Sequence, residues 1–109
     1  MNDAQKILIV DDEENIRRIF KKALGKKNYI VHTAKNAEDA LQQIKNQNYL
    51  LIFSDIFMDE MSGLTLLKEV KKINPQAKIV VMTAQDTMNN TIEAMRTGAY
   101  DYISKPFDF

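Results

Sequence analysis

Cysteine is missing from these 109 residues. Its absence excludes disulfides, thiolate catalysis and cysteine metal sites, and suits a reducing cytosol. Long apolar runs are missing too. Leu50 to Phe53 and Ile79 to Met82 are far too short to cross a bilayer, and the N-terminus lacks the basic-then-apolar pattern of a signal peptide. Neither charge is in excess: fifteen Lys and Arg balance fifteen Asp and Glu. The chain as a whole therefore lacks the one-sign field that would point to nucleic acid or an anionic membrane as its main partner. Three glycines and two prolines leave no low-complexity linker. What remains reads as one soluble, cytoplasmic domain over residues 1–109, 45% apolar and so able to build one packed core.

The apolar residues alternate between two periods. Lys6 to Val10 is a short β-branched run suited to a strand buried on both faces, and it stops at a cluster of acids. After Asp12, the residues Ile16, Ile19, Phe20, Ala23 and Leu24 follow the spacing of a helix packed on one side, with Gly25 near its end. Tyr29 to Thr33 reads as a second strand. Asn36 can cap a helix that places Ala37, Ala40, Leu41 and Ile44 on one face. Tyr49 to Ser54 is the third expected strand. A loop then reaches Gly63, and a third helix carries Leu64, Leu67 and Val70 inward until Asn74-Pro75 closes it. Lys78 to Met82 is the fourth strand. A helix over about Thr87 to Thr97, ending at Gly98, has Met88, Ile92 and Met95 on one face. Its Asn89-Asn90 pair and threonines are poor helix formers, so it should be the least rigid helix. Tyr100 to Ser104 is the fifth strand.

Five strands alternating with helices predict an α/β fold, a doubly wound parallel sheet of flavodoxin-like order 2-1-3-4-5. A fifth helix would normally cover the face that the first helix covers, so the chain reads as truncated before that helix. In such sheets the ligand crevice lies beyond the carboxyl ends of the strands, where strand order reverses. Asp11 and Asp12 follow the first strand, Asp55 the third, Thr83 the fourth and Lys105 the fifth, so all five converge on one edge. Three carboxylates meeting there repel one another, and a hard divalent cation with oxygen ligands relieves them; Mg²⁺ fits best. Three carboxylates, the Lys105 ammonium and Mg²⁺ sum to zero charge. An aspartate nucleophile can form an acyl phosphate, with metal and lysine stabilising the transferring group. The plainer reading of the acidic run alone is that Asp12, Glu13 and Glu14 complement a helix dipole.

Asp11-Asp12, Asp55 with Met58 and Gly63 after it, Thr83-Ala84, and Tyr102 with Lys105-Pro106 resemble, in order and spacing, the signature of response-regulator receiver domains of bacterial two-component systems. The resemblance covers essentially the whole chain. It implies a switch phosphorylated on Asp55 by a partner histidine kinase or phosphotransfer protein, catalysing only its own phosphorylation and dephosphorylation. Asp12, Asp55 and the backbone carbonyl of Phe57 would ligate Mg²⁺, Asp11 would act mainly through a metal-bound water, and Thr83 and Lys105 would bind phosphoryl oxygens. Thr83 would move toward the phosphate and Tyr102 would rotate inward, reshaping the surface of the fourth helix and fifth strand for an output partner. The ending Tyr100 to Asp108 looks most like receivers of the nitrogen-regulation class, which are joined to an ATPase and a DNA-binding domain. That makes the expected role transcriptional, with no nucleic-acid contact by this domain itself. Homodimers through the fourth and fifth helices are common in the family.

Two departures stand out. Asp59, followed by Glu60, replaces the usual proline after Met58, which predicts altered metal affinity or loop mobility. Phe57 and Gln85 sit where the family tunes hydrolysis of the acyl phosphate; Phe57 can shield the phosphate but cannot orient a water, which predicts slow self-dephosphorylation. An aspartyl phosphatase would need an aspartate pair two apart and a capping insertion. A flavin carrier would need a Gly- or hydroxyl-rich phosphate loop after the first strand. A receiver-like partner-binding domain that is never phosphorylated is disfavoured by intact Asp12, Asp55, Thr83 and Lys105. His32 is expected to be structural, the methionines to be packing, and Lys26-Lys27 and Lys71-Lys72 to be solvated helix ends.

Overall fold

The computed structural model describes residues 5–56, 63–83 and 88–105, the side chains of Met88 and Asn89 apart. Strand β1 (Lys6–Val10) is followed by α1 (Glu14–Gly25), β2 (Ile30–Ala34), α2 (Ala37–Asn46), β3 (Leu51–Asp55), α3 (Gly63–Ile73), β4 (Ile79–Thr83), α4 (Met88–Thr97) and β5 (Asp101–Ser104). All pairings are parallel, in the order β2-β1-β3-β4-β5. The expected order is thus the observed one. β2, β3 and β4 each run about one residue further along the chain than the apolar runs suggested, so Asp55 and Thr83 close their strands rather than follow them. Strand ends are set by ladder hydrogen bonds, which polar residues can make as well as apolar ones.

The sheet separates two cores. Leu8, Val10, Ile52, Ile79 and Val81 face α2, α3 and α4, which supply Ala40, Ile44, Leu66, Leu67, Val70 and Ala94. Ile7, Ile9, Val31 and Met82 face the other way, with Phe20 of α1 against Phe53 at a ring separation of 5.2 Å. Among the described residues α1 is the one helix on that side. Asn36 caps α2 as expected, its side chain accepting the Asp39 N–H at 2.8 Å. Gly98, at φ 122°, ends α4 with its N–H on the Ala94 carbonyl.

Three inward faces differ from expectation. In α1, Ile19 is 45% exposed, because it sits at the flank of a stripe whose centre is Phe20. In α3, Leu66 joins Leu67 and Val70 in the core, while Leu64 is half-buried. In α4, Ile92 and Met95 are exposed and Ala94 is buried. At 3.6 residues per turn, Ala94 lies about 130° around the helix from the Met88/Ile92/Met95 stripe. The helix buries Ala94 instead, with Thr91 and Thr97 half-buried on the same side. Lys71 is no solvated helix end either: its Nζ donates to the carbonyls of Ala77 at 2.7 Å and Pro75 at 3.3 Å.

Candidate functional site

Register alone brings the acids together. Val10 pairs with Ser54 and Asp55 with Met82, so the residues ending β1, β3 and β4 lie side by side at one edge. Backbone bonds carry the ladder slightly beyond the strands. Asp11 N–H donates to Ala34 at 3.1 Å, Ile56 N–H to Met82 at 3.2 Å and Lys105 N–H to Thr83 at 2.7 Å. Every buried polar or charged residue among those described, Asp11, Ser54, Asp55 and Thr83, is at this edge. Such burial is costly for charged groups unless they are paired, and here the site is also where the order of strands reverses.

Lys105 supplies the pairing. Its Nζ is 3.0 Å from Asp55 Oδ2, 3.1 Å from Asp11 Oδ2 and 3.4 Å from Glu13 Oε2. Burial by itself would lower the Lys105 pKa; the hydrogen bonds and charges of Asp55 and Asp11 outweigh it and hold the ammonium well above the ordinary lysine value. Asp11 is fully buried, and its second oxygen accepts the Glu13 N–H at 2.9 Å. Thr83 is buried, with its hydroxyl donating over a long 3.4 Å to the Ile103 carbonyl. Tyr102, on the neighbouring strand, is 48% exposed.

Asp11, Asp12, Glu13 and Asp55 can each offer one carboxylate oxygen, all within 4.8 Å of one another. Two such charges repel by about 3 kcal/mol at an effective dielectric of about 20, and four carboxylates against one ammonium leave a clear negative surplus. The donor set is all oxygen, hard and close enough to share an ion, as Mg²⁺ requires. Reading Glu13 only as a dipole partner missed its place here; with it the residues and Mg²⁺ sum to one negative charge rather than zero. Its position directly after Asp12 was the available signal. Arg17 was also missed: its guanidinium donates to the Asp11 carbonyl at 2.8 Å and fixes the turn that carries both aspartates.

Gly63 explains itself by contact. Its N–H donates to the Ile56 carbonyl at 2.6 Å, and a Cβ there would collide with the Asp55 carbonyl oxygen and lie 2.7 Å from the Ile56 Cα. Only glycine lets α3 begin this close to the end of β3. Phe57, Met58, Asp59, Glu60, Ala84, Gln85 and Pro106 lie outside the described residues. His32, by contrast, donates or accepts at 2.8 Å with the Tyr49 hydroxyl, a pairing within the fold.

Comparison with known proteins agrees with the geometry. Residues 7–109 match the family described as response regulator receiver domain. Over 103 residues the chain is 39% identical to the transcriptional regulatory protein ZraR of Escherichia coli, covering 94% of this chain and 23% of that protein. It is 36% identical to the DNA-binding transcriptional regulator NtrC of Azospirillum brasilense, over 96% of this chain and 22% of the relative. The chain thus spans about a quarter of the length of the curated relatives it matches. The crystal structure of the receiver domain of NtrX from Brucella abortus superposes with a TM-score of 0.89 at 36% identity, covering 94% of this chain and 87% of that one. A match over nearly the whole length, joined to a shared fold at substantial identity, supports one conclusion: the chain belongs to the response regulator receiver domain family, a signalling module of two-component systems rather than an enzyme.

Proposed function

We propose that this domain is a phosphorylation switch in which Asp55 accepts a phosphoryl group from a partner histidine kinase or phosphotransfer protein. The observation that carries the reading is the Lys105 ammonium held between Asp55 and Asp11 inside a cluster of surplus negative charge. An Asp55 oxygen bonds to phosphorus as the bond from phosphorus to the donor's imidazole nitrogen breaks, and that nitrogen takes up a proton. Asp11, Asp12, Asp55 and the Phe57 carbonyl are the residues that would hold Mg²⁺; when bound, the ion neutralises charge on the carboxylates and on the phosphoryl oxygens. Lys105 and the Thr83 hydroxyl bind the remaining phosphoryl oxygens.

Phosphorylation adds about one negative unit at Asp55. Thr83 then exchanges its long bond to Ile103 for a charge-assisted one worth about 1.5–3 kcal/mol, enough to bias two states separated by a similar amount. Tyr102 turns from its exposed position into the space that Thr83 leaves, and the α4/β5 surface signals the change. The output is proposed to be transcriptional, through an ATPase and a DNA-binding domain in a longer cytoplasmic regulator, with homodimerisation as the means of relay. The relatives named as transcriptional regulators support that output. Intact mass after incubation with Mg²⁺ and acetyl phosphate tests the chemistry. A gain of about 80 Da that needs Mg²⁺ and vanishes in Asp55→Asn supports it; no gain in a folded, Mg²⁺-binding chain would make this a receiver that works unphosphorylated.

A further inference from the structure

Of the three carboxylates around Lys105, Asp11 and Asp55 belong to the expected magnesium ligands and Glu13 does not. A divalent cation entering the cluster draws charge from Asp11 and Asp55 and itself repels the ammonium. Lys105 would then lose two of its three partners just when its position beside Asp55 matters. Its four-carbon stem is flexible and its side chain is 19% exposed, so water is within reach. Glu13 stands on the solvent side of the cluster, 62% exposed and 3.4 Å from the ammonium. It occupies the N-cap of α1, yet its side chain makes no capping bond. Caps are usually short residues that accept a helix N–H; here the longer carboxylate forgoes that role and turns to Lys105. The Asp11 carboxylate accepts the Glu13 N–H and so fixes where the side chain starts.

We propose that Glu13 is a positioning residue that anchors the Lys105 ammonium while a divalent cation occupies the aspartates, keeping it beside Asp55 for the incoming phosphoryl oxygens. This deepens the phosphorylation reading and rests on it. The test uses ¹H–¹⁵N spectra of the lysine ammonium groups in the full chain, with and without saturating Mg²⁺, for wild type, Glu13→Gln and Glu13→Asp. Lys105→Arg assigns the signal, and the Asp12 and Asp55 amides report cation binding. In wild type the Lys105 signal persists with Mg²⁺; in Glu13→Gln, and in Glu13→Asp, whose shorter carboxylate caps α1 instead, it is seen without Mg²⁺ and lost with it. The rate of phosphorylation by acetyl phosphate at saturating Mg²⁺ falls about threefold in Glu13→Gln, the scale of a partly exposed ion pair, and equally in Glu13→Asp. A Lys105 signal that persists in Mg²⁺-loaded Glu13→Gln overturns the inference. So does a drop in Mg²⁺ affinity of more than about tenfold, since that would make Glu13 a ligand. Wild-type amides indifferent to Mg²⁺ would instead overturn the magnesium reading, and this inference with it.

Discussion

Between β2, α2 and the start of β3, four polar side chains form a closed network, whereas at the carboxyl ends of the strands a second polar group is left with surplus charge. In the first, a His32 Nδ1–H donated to the Tyr49 oxygen at 2.8 Å lets the Tyr49 hydroxyl donate to Gln43 Oε1 at 3.3 Å. The Gln43 amide then serves both the Thr33 carbonyl at 2.9 Å and Asp39 Oδ1 at 3.2 Å. Donors and acceptors match, one formal charge is present at its margin, and the network ties α2 to the sheet. In the second, one ammonium faces Asp11, Glu13 and Asp55, with Asp12 close by. A structure that needs only stability matches its buried polar groups. The proposed cation and phosphoryl roles rest on this second arrangement, in which four carboxylates gather around one ammonium among the described residues.

The largest effect should come from removing the counter-charge. Lys105→Met leaves Asp11 and Asp55 buried without their ammonium and should cost about 3 kcal/mol in metal-free urea unfolding, with Mg²⁺ restoring part of it. A loss under about 0.5 kcal/mol would mean the cluster is not under electrostatic load, and the comparison would fail. Next is Gly63→Ala, which drives a methyl group against the backbone of Asp55 and Ile56. It should cost about 2 kcal/mol by overpacking and shift the amide resonances of Asp55 and Ile56, leaving those of His32 and Tyr49 in place.

The smallest effect should be at the closed network. Tyr49→Phe removes two hydrogen bonds at a partly exposed site and should cost about 1 kcal/mol, with Mg²⁺ affinity unchanged. Burial, and then the charge of Asp39, raise the Tyr49 pKa above its ordinary 10.0. The fold therefore favours the neutral phenol, so its contribution is complete below pH 10 and is lost as pH rises through the folded value. Wild-type stability should fall more steeply above pH 10 than that of Tyr49→Phe, measured by denaturation at stepped pH. Lys105, raised far above the neutral range, should add no pH dependence between about pH 6 and 9.

The same contrast explains which features were legible in the sequence and which were not. Strands buried on both faces leave continuous apolar runs, so β1 and β4 could be read as Lys6 to Val10 and Lys78 to Met82, and with them the gathering of Asp11, Asp55, Thr83 and Lys105 at one edge. Periodicity shows that Met88, Ile92 and Met95 share a face, but not that α4 leaves Ile92 and Met95 exposed and buries Ala94. Arg17 was hidden for a related reason: its role depends on the path of one turn, set by its hydrogen bond to the Asp11 carbonyl, which no spacing rule encodes. The Tyr49–His32 pairing joins residues seventeen apart, one on β2 and one in the segment before β3, and left no local trace.

Borohydride trapping of the phosphorylated chain tests the central claim most directly, because it reduces an aspartyl phosphate to homoserine and marks the acceptor residue covalently. After treatment with Mg²⁺ and acetyl phosphate, peptide mass spectrometry should find homoserine at position 55 and at no other aspartate. Conversion at Asp11 or Asp12, or a phosphorylated chain with no homoserine at all, would contradict the account.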